Sequence, residues 1–281
     1  MICLTGDIHH DSLKINDQRF IPDGMNEIEI CGKYLELLKK YNLKVTFYTT
    51  GVTFQEQWEE FKAIAEADNV EIGGHTFSGL PRKTESTDAA TGLPSCSHAH
   101  SHGTYEDQEQ DVQKMIGIAE EKTGKKLLTW RSHGLVKDEN TEKILFVNGI
   151  RFISDELNWN KILPEKTEAG LISHPMNVLM DHDHLFHAHR TCEYVERQRK
   201  NWPFKDAPTN RSFEIDKWGR IVRAQIQAID EMGGLATILM HPLCMYLADG
   251  FKTAEKIFEF IASLKTKCVW ASETEEFLGK K

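Results

Sequence analysis

The chain has 281 residues, 40% of them apolar and 27% charged, with a formal net charge of −9; this is the make-up of an ordinary soluble globular protein. The negative balance excludes an extended nucleic-acid surface, because neutralising a phosphate backbone takes clustered Lys and Arg. No apolar run reaches the length of a membrane span, so neither nucleic acid nor membrane is an expected partner.

From residue 2 onward, strand-like and helical patterns alternate. Residues 2–5 read as a strand, and 25–41 carry Ile28, Cys31, Leu35 and Leu38 three and four apart, the spacing of one helix face. A strand over 44–48 follows, then a helix over 54–67 with Trp58, Phe61, Ile64 and Ala65 on one side. Residues 70–73 form a third strand, broken by Gly73-Gly74. The spacing of Val112, Met115, Ile116 and Ala119 predicts a helix over 105–123, closed by Gly124. Strands over 127–130, 151–154 and 171–173 enclose a helix over 139–148. Late in the chain come a helix over 218–232, a strand over 235–240, a helix over 253–266 and a strand over 267–270. Ser272 with Glu275 three residues on has the capping-box pattern of a final helix.

Parallel strands need helical crossovers, so this alternation predicts an α/β protein, one barrel of parallel strands in a single domain over 1–281. No G-x-G-x-x-G follows the first strand, which leaves a dinucleotide fold without support. Two long loop insertions interrupt the pattern, at about 76–103 (rich in Ser, Thr, Pro and Gly) and 158–215 (rich in His, Asp and Asn); loops of that length are often lids or binding loops. The 6 cysteines are scattered without a Cys-x-x-Cys pair, and the first strand starts at residue 2, leaving no room for a signal peptide. A reduced, cytoplasmic protein is expected, with a homo-oligomer left open.

Polar residues stand at the ends of successive strands: Asp7 and His9, His75, Arg131, Asp155 and His241. An α/β barrel assembles one active site from such positions. Asp7 and His9 share a side if the strand stays extended. A further histidine can come from the run holding His98, His100 and His102. Two or three imidazoles with an open position suit zinc or a similar divalent ion. Asp7 is then free to act as base on water that the ion acidifies, and His241 to protonate a leaving amine.

These residues, in this order, resemble the polysaccharide deacetylases of NodB homology, carbohydrate esterase family 4. Leu4-Thr5-Gly6-Asp7-Ile8-His9 stands where that family has Thr-Phe-Asp-Asp-Gly, and Glu71-Ile72-Gly73-Gly74-His75-Thr76-Phe77-Ser78 is similar to its Glu-Ile-Gly-Asn-His-Thr-x-Ser-His. Trp130-Arg131-Ser132-His133-Gly134 resembles the arginine motif, Asp155-Glu156-Leu157-Asn158-Trp159 the Asp-x-x-x-Trp motif, and Leu239-Met240-His241-Pro242 the closing Leu-x-His motif. The resemblance implies a (β/α)7 barrel, an irregular relative of the TIM barrel. It also implies Asp7 as catalytic base, Arg131 as the residue orienting it, His241 as general acid tuned by Asp155, and His9 and His75 as metal ligands.

The family's second metal histidine lies four residues after the first, and here that position is Gly79. The 76–103 insertion is therefore read as splitting the motif, with His102 resuming it and His98 or His100 as alternatives. His9 replaces a carboxylate, leaving the site one negative charge short. The run Asp181-His182-Asp183-His184-Leu185-Phe186-His187-Ala188-His189-Arg190 matches no motif. It reads as a hydrated loop, a second metal site, or a substrate-recognition loop. In the last case His187, His189 and Arg190 join Trp159 in binding substrate, Arg190 through a bidentate contact to an anionic group.

The expected activity is metal-dependent hydrolysis of an amide, N-deacetylation of an amino sugar or similar small molecule, with zinc, or cobalt, nickel or manganese, as cofactor. A metal-independent hydrolase of a ureide or formamide and a silent sugar- or metal-binding protein are the alternatives.

Overall fold

The protein is described here by a computed structural model covering residues 1–13, 16–79, 103–201 and 209–279. β1 (Ile2–Ile8) is buried over all its length, as a strand paired on both edges and covered on both faces must be. Short 3-10 turns lead to α1 (Glu27–Lys40), which opens on a capping box: Asn26 Oδ1 accepts from the Glu29 amide and Glu29 reaches back to the Asn26 N–H. Its buried face, with Ile28, Cys31, Leu35 and Leu38, is the one the spacing predicts. β2 (Val45–Thr49), α2 (Gly51–Glu56), α3 (Trp58–Ala65) and β3 (Val70–Gly74) come next, then α4 (Tyr105–Thr123) and β4 (Thr129–Trp130). The chain goes on through α5 (Thr141–Val147), β5 (Phe152–Ile153), β6 (Glu165–Lys166), β7 (Ile172–Ser173), α6 (Asp181–His184) and α7 (Cys192–Asn201). It ends with α8 (Ile215–Glu231), β8 (Ala236–Leu239), α9 (Pro242–Asp249), α10 (Lys252–Ser263) and β9 (Cys268–Val269).

The sheet runs β6-β7-β5-β4-β3-β2-β1-β8, with β9 also on β1. Every pairing is parallel except β6 with β7. It curls into a (β/α)7-type half-barrel, and Asn177 stitches the gap between the end of β7 and β8. Its side-chain amide donates to Leu235 O at 2.9 Å, and its Oδ1 accepts from the Thr237 N–H at 3.0 Å. Helices cover the outside. α8 turns Trp218, Val222, Ile226 and Ile229 inward, each burial stabilising by roughly 1.5–3 kcal/mol. None of the described helices is long and apolar enough to cross a membrane.

Three of the elements expected from the sequence come out differently. The helix expected over 54–67 is two, α2 and α3, parted at Gln57. That side chain is recruited elsewhere: its Nε2 donates to Asp11 Oδ2 at 2.9 Å and its Oε1 accepts from the Asp11 N–H at 2.9 Å. Gly73-Gly74 does not break β3 but completes it. A Cβ on Gly73 would lie 2.5 Å from the Tyr48 ring, and one on Gly74 would run into Trp130, so the glycines make room for large neighbours. The final helical segment is a 3-10 helix, Ala271–Phe277, capped not through Ser272 and Glu275 but by Glu273, whose Oε2 accepts from the Trp270 N–H at 2.9 Å.

Candidate active site

The strand tips converge on Asp7, next to last in β1 and only 5% exposed. Arg131, just past β4 and fully buried, spends every arm of its guanidinium there. Nη1 donates to Asp7 Oδ1 at 2.7 Å, Nη2 to Thr5 Oγ1 at 2.9 Å and Ser154 Oγ at 2.7 Å, and Nε to Ser154 O at 3.2 Å. The guanidinium also lies over the Tyr48 ring, 4.2 Å from its centroid. Oδ1 is thereby held, and Oδ2 faces His75 Nε2 at 3.6 Å and His241 Nε2 at 3.5 Å. Burial pushes the Asp7 carboxyl up, but Arg131, His75 and His241 outweigh it and hold the group well below the usual carboxylate range.

Beside His75 stand two further imidazoles, His9 and His133, and the ligand atoms of the three all lie within 4.8 Å of one another. Their rings meet edge to face, with centroids 5.1–5.4 Å apart. His75 Nδ1 is 2.7 Å from Arg131 O. A carbonyl only accepts, so Nδ1 carries the proton and Nε2 presents a lone pair. His9 Nδ1 sits 3.1 Å from Glu27 Oε1, which also accepts from the His9 N–H at 3.1 Å. Carboxylate and carbonyl partners on the far nitrogen are the usual orienting contacts of metal-binding histidines. Burial pulls His75 down to about 4, which keeps its ring neutral near pH 7, as a ligand must be. By the chemistry of this donor set, the residues fit a divalent ion.

Local backbone sets these directions. Thr76, directly after His75, has φ +64°, a conformation that costs a β-branched residue on the order of 1–3 kcal/mol. Its carbonyl accepts from the Gly51 N–H at 3.0 Å and its Oγ1 from the Gly79 N–H at 3.0 Å, which offsets that cost and fixes where His75 points. Beyond His133 the chain turns sharply through Gly134 (φ +63°) and Leu135 (φ +57°).

His241 follows β8 and directly precedes Pro242, the first residue of α9, where the fixed φ of proline suits a helix start. Its carboxylate partner is Asp181. Nδ1 donates to Asp181 Oδ1 at 2.8 Å and the backbone N–H to Oδ2 at 2.6 Å. Burial lowers the His241 pKa, but Asp181 and then Asp7 outweigh it and raise it well above the ordinary histidine value. The two carboxylates thus favour the imidazolium form. Asp155, expected on this histidine, instead accepts from the Ser132 N–H at 2.7 Å and Ser132 Oγ at 2.8 Å. It braces the loop between Arg131 and His133, and burial raises its pKa against those two bonds.

The 181–190 run departs furthest from expectation. Residues 181–184 form a helical turn, with Asp181 bonded to His241 and His184 Nδ1 2.8 Å from Arg211 O. His187 and His189, expected on substrate, close on a buried carboxylate far away in sequence. Asp17 Oδ2 lies 3.1 Å from His187 Nε2, and Oδ1 2.8 Å from His189 Nδ1. Burial pushes Asp17 up, yet those two histidines hold it well below the usual range. Arg190, the expected anion clamp, is 5% exposed and pairs with Asp183 at 2.6 Å. Trp159 is half-buried against the core, its indole N–H without a partner among the described residues. His102, His98 and His100 lie outside the described residues, and the third imidazole beside His9 and His75 is His133.

His133, Asp181, Glu27 and Asp17 are the residues that the sequence reading misses. His133 had a signal: it stands two after Arg131 at a strand tip, the same spacing as His9 after Asp7. Asp17 and Glu27 had none, since neither stands at a strand end.

Residues 23–153 match the polysaccharide deacetylase family model. Among curated proteins no match was found. A crystal structure described as a polysaccharide deacetylase from Mycobacterium smegmatis is similar at TM-score 0.66 and 16% identity, over 98% of this chain and 89% of that one. A second so described, from Pseudomonas aeruginosa PAO1, gives 0.62 and 13% over 98% and 89%. The Puue allantoinase gives 0.61 and 12% over 98% and 89%. At such identities the likeness is one of fold.

Proposed function

We propose that the chain is a divergent protein of the polysaccharide deacetylase, or NodB-homology, family, whose model matches residues 23–153, and that it is a metal-dependent amide hydrolase. It removes an acyl group, acetyl foremost, from the nitrogen of an amino sugar or similar small amide. One observation carries this reading. Asp7 Oδ2 is flanked at once by His75 Nε2 at 3.6 Å and His241 Nε2 at 3.5 Å, so base, one metal ligand and acid share a single atom's surroundings.

His9, His75 and His133 would hold the divalent ion, zinc foremost; when bound it polarises the acyl carbonyl and acidifies water. The chain's own groups handle the protons. Arg131 occupies Oδ1 and keeps Asp7 ionised, so Oδ2 takes a proton from the attacking water. His241, kept protonated by Asp181, gives its Nε2 proton to the departing nitrogen. One proton is then on Asp7 and one is missing from His241, and the short gap between them lets the first replace the second. The balance is water plus amide to acid plus amine, with both groups reset. Asp155 acts as a positioning residue through Ser132, and Trp159, four residues beyond it, is assigned to the rim of the substrate cleft.

The test is amine release from a panel of N-acetylated amino sugars and small N-acyl amides, with and without chelator, on wild type and on His75→Ala and His133→Ala. Turnover lost on chelation, restored by zinc or cobalt and absent in both variants supports the proposal. Hydrolysis of a ureide or formamide that survives exhaustive chelation and His133→Ala would replace it with the metal-independent alternative. Tight binding without turnover on any substrate would make the chain a binding protein.

A further inference from the structure

Beyond the three-histidine centre, we propose a second metal site, formed by Asp17, His187 and Cys244, that takes a thiophilic divalent ion such as zinc. It is independent of the reading above. The three come from distant parts of the chain: the 3-10 turn Asn16–Phe20, the segment after α6, and α9. All are buried, at 4%, 6% and 2% exposure, and their ligand atoms lie within 4.8 Å of one another.

The hydrogen-bond inventory points to a cation. His187 Nδ1 is 2.9 Å from Leu185 O, an acceptor only, so Nδ1 carries the proton. In a neutral ring Nε2 is then a lone pair, and it faces Asp17 Oδ2 at 3.1 Å. Two lone pairs that close need a positive charge between them, either an extra proton or a metal ion. The Cys244 Sγ–H donates to the same oxygen at 3.3 Å, so three potential ligand atoms converge on one point, and loss of the thiol proton would leave them as a ligand set for a divalent ion. The other carboxylate oxygen lies 2.8 Å from His189 Nδ1, a close approach without hydrogen-bond geometry.

Charge favours the same occupant. Binding turns Cys–SH and M²⁺ into Cys–S–M with release of one proton. The thiolate and the Asp17 carboxylate then match the ion's two charges, so the buried site is neutral. A thiolate also separates this site from the three-histidine centre, because soft sulfur selects zinc and its neighbours while imidazoles accept a wider range. Asp181, already bonded twice to His241, is not needed as a ligand. The ion would tie the 181–190 segment and the 3-10 turn to α9, directly behind the acid His241.

The test is titration of chelator-stripped full-length protein with Co(II), followed by absorption spectroscopy. The expected result is two equivalents bound, with a thiolate-to-cobalt charge-transfer band in the near ultraviolet. Cys244→Ser loses the band and one equivalent, whereas His75→Ala/His133→Ala keeps the band and loses the other. Wild-type protein that binds cobalt without that band would overturn the second site and leave the three-histidine centre untouched, whatever becomes of the variants. A band that persists in Cys244→Ser would overturn it too, by assigning the thiolate to another cysteine. A melting temperature of His75→Ala/His133→Ala that does not rise with added zinc would also count against it, since an ion that binds only the folded state must stabilise it.

Discussion

The histidines at the strand tips and those of the 181–190 segment are alike in number and burial, yet they are held in opposite ways. His75 and His9 have their outer nitrogens tied to a carbonyl and a carboxylate, and their inner nitrogens face other imidazoles across an open point. His187 and His189 face inward onto one carboxylate, Asp17. The first arrangement is a ligand set with charge supplied from outside by Asp7; the second carries its own negative charge. What separates them is the partner beneath each ring. A histidine-rich run is therefore no guide to where the chemistry lies, and the triad, drawn from single histidines on three strands, is the centre around the base.

The contrast is broken most severely at Asp7. Asp7→Asn should cost about two to four orders of magnitude in kcat with an unchanged circular dichroism spectrum, whereas Asp17→Asn should leave much of kcat intact. Comparable losses in steady-state rates would merge the two clusters into one functional unit.

Arg131→Met comes next. It leaves the Asp7 charge buried without its strongest partner, and removing one member of a buried pair costs about 3–5 kcal/mol, to be read from urea unfolding. A loss below about 1 kcal/mol would mean that His75 and His241 alone hold the carboxylate.

Asp181→Asn sharpens the acid side. His241 is raised well above its ordinary value by Asp181 and Asp7, so its protonated form lasts past neutrality. Removing Asp181 should move the alkaline limb of the kcat profile to lower pH, with on the order of a tenfold loss at pH 8. The same group links stability to pH. Its contribution is fully present below the unfolded histidine value, about 6.5, and is lost as pH rises through the higher folded value. Wild type should thus lose stability on the alkaline side, and Asp181→Asn should lose less. A limb that stays in place would remove His241 as the titrating acid.

The smallest effect is expected at the Arg190–Asp183 pair, where Asp183 is about one-third exposed. Asp183→Asn leaves Arg190 without its charge partner, and because Asp183 is partly exposed the loss in thermal unfolding should fall below the cost of breaking a fully buried pair, about 3–5 kcal/mol, with KM unchanged. A marked fall in KM for an anionic substrate would show that Arg190, once released, does act as a clamp.

Much of the barrel was legible because its signals are local. A short apolar run located β1, spacing of three and four located α1 and α4, and polar residues at strand ends marked Asp7, His75, Arg131 and His241. Gln57 escaped because its helical pattern says nothing of Asp11, to which it turns. Asp155 was assigned to His241 because the family resemblance implies it, but reach decides such a contact, and Asp181 is the carboxylate that reaches. His102 was sought because one family spacing failed at Gly79, while His133 stood within a motif already read for its arginine.

By itself, then, the sequence determined the alternation of strands and helices and the polar residues at the strand tips, since both follow from side-chain period and backbone direction. Only the tertiary structure decided which carboxylate holds which imidazole: Glu27 on His9, Asp181 on His241, Asp17 on His187 and His189. Those pairings span 18 to 172 residues of chain, and each is chosen by the burial of both partners at one place, which no local pattern records.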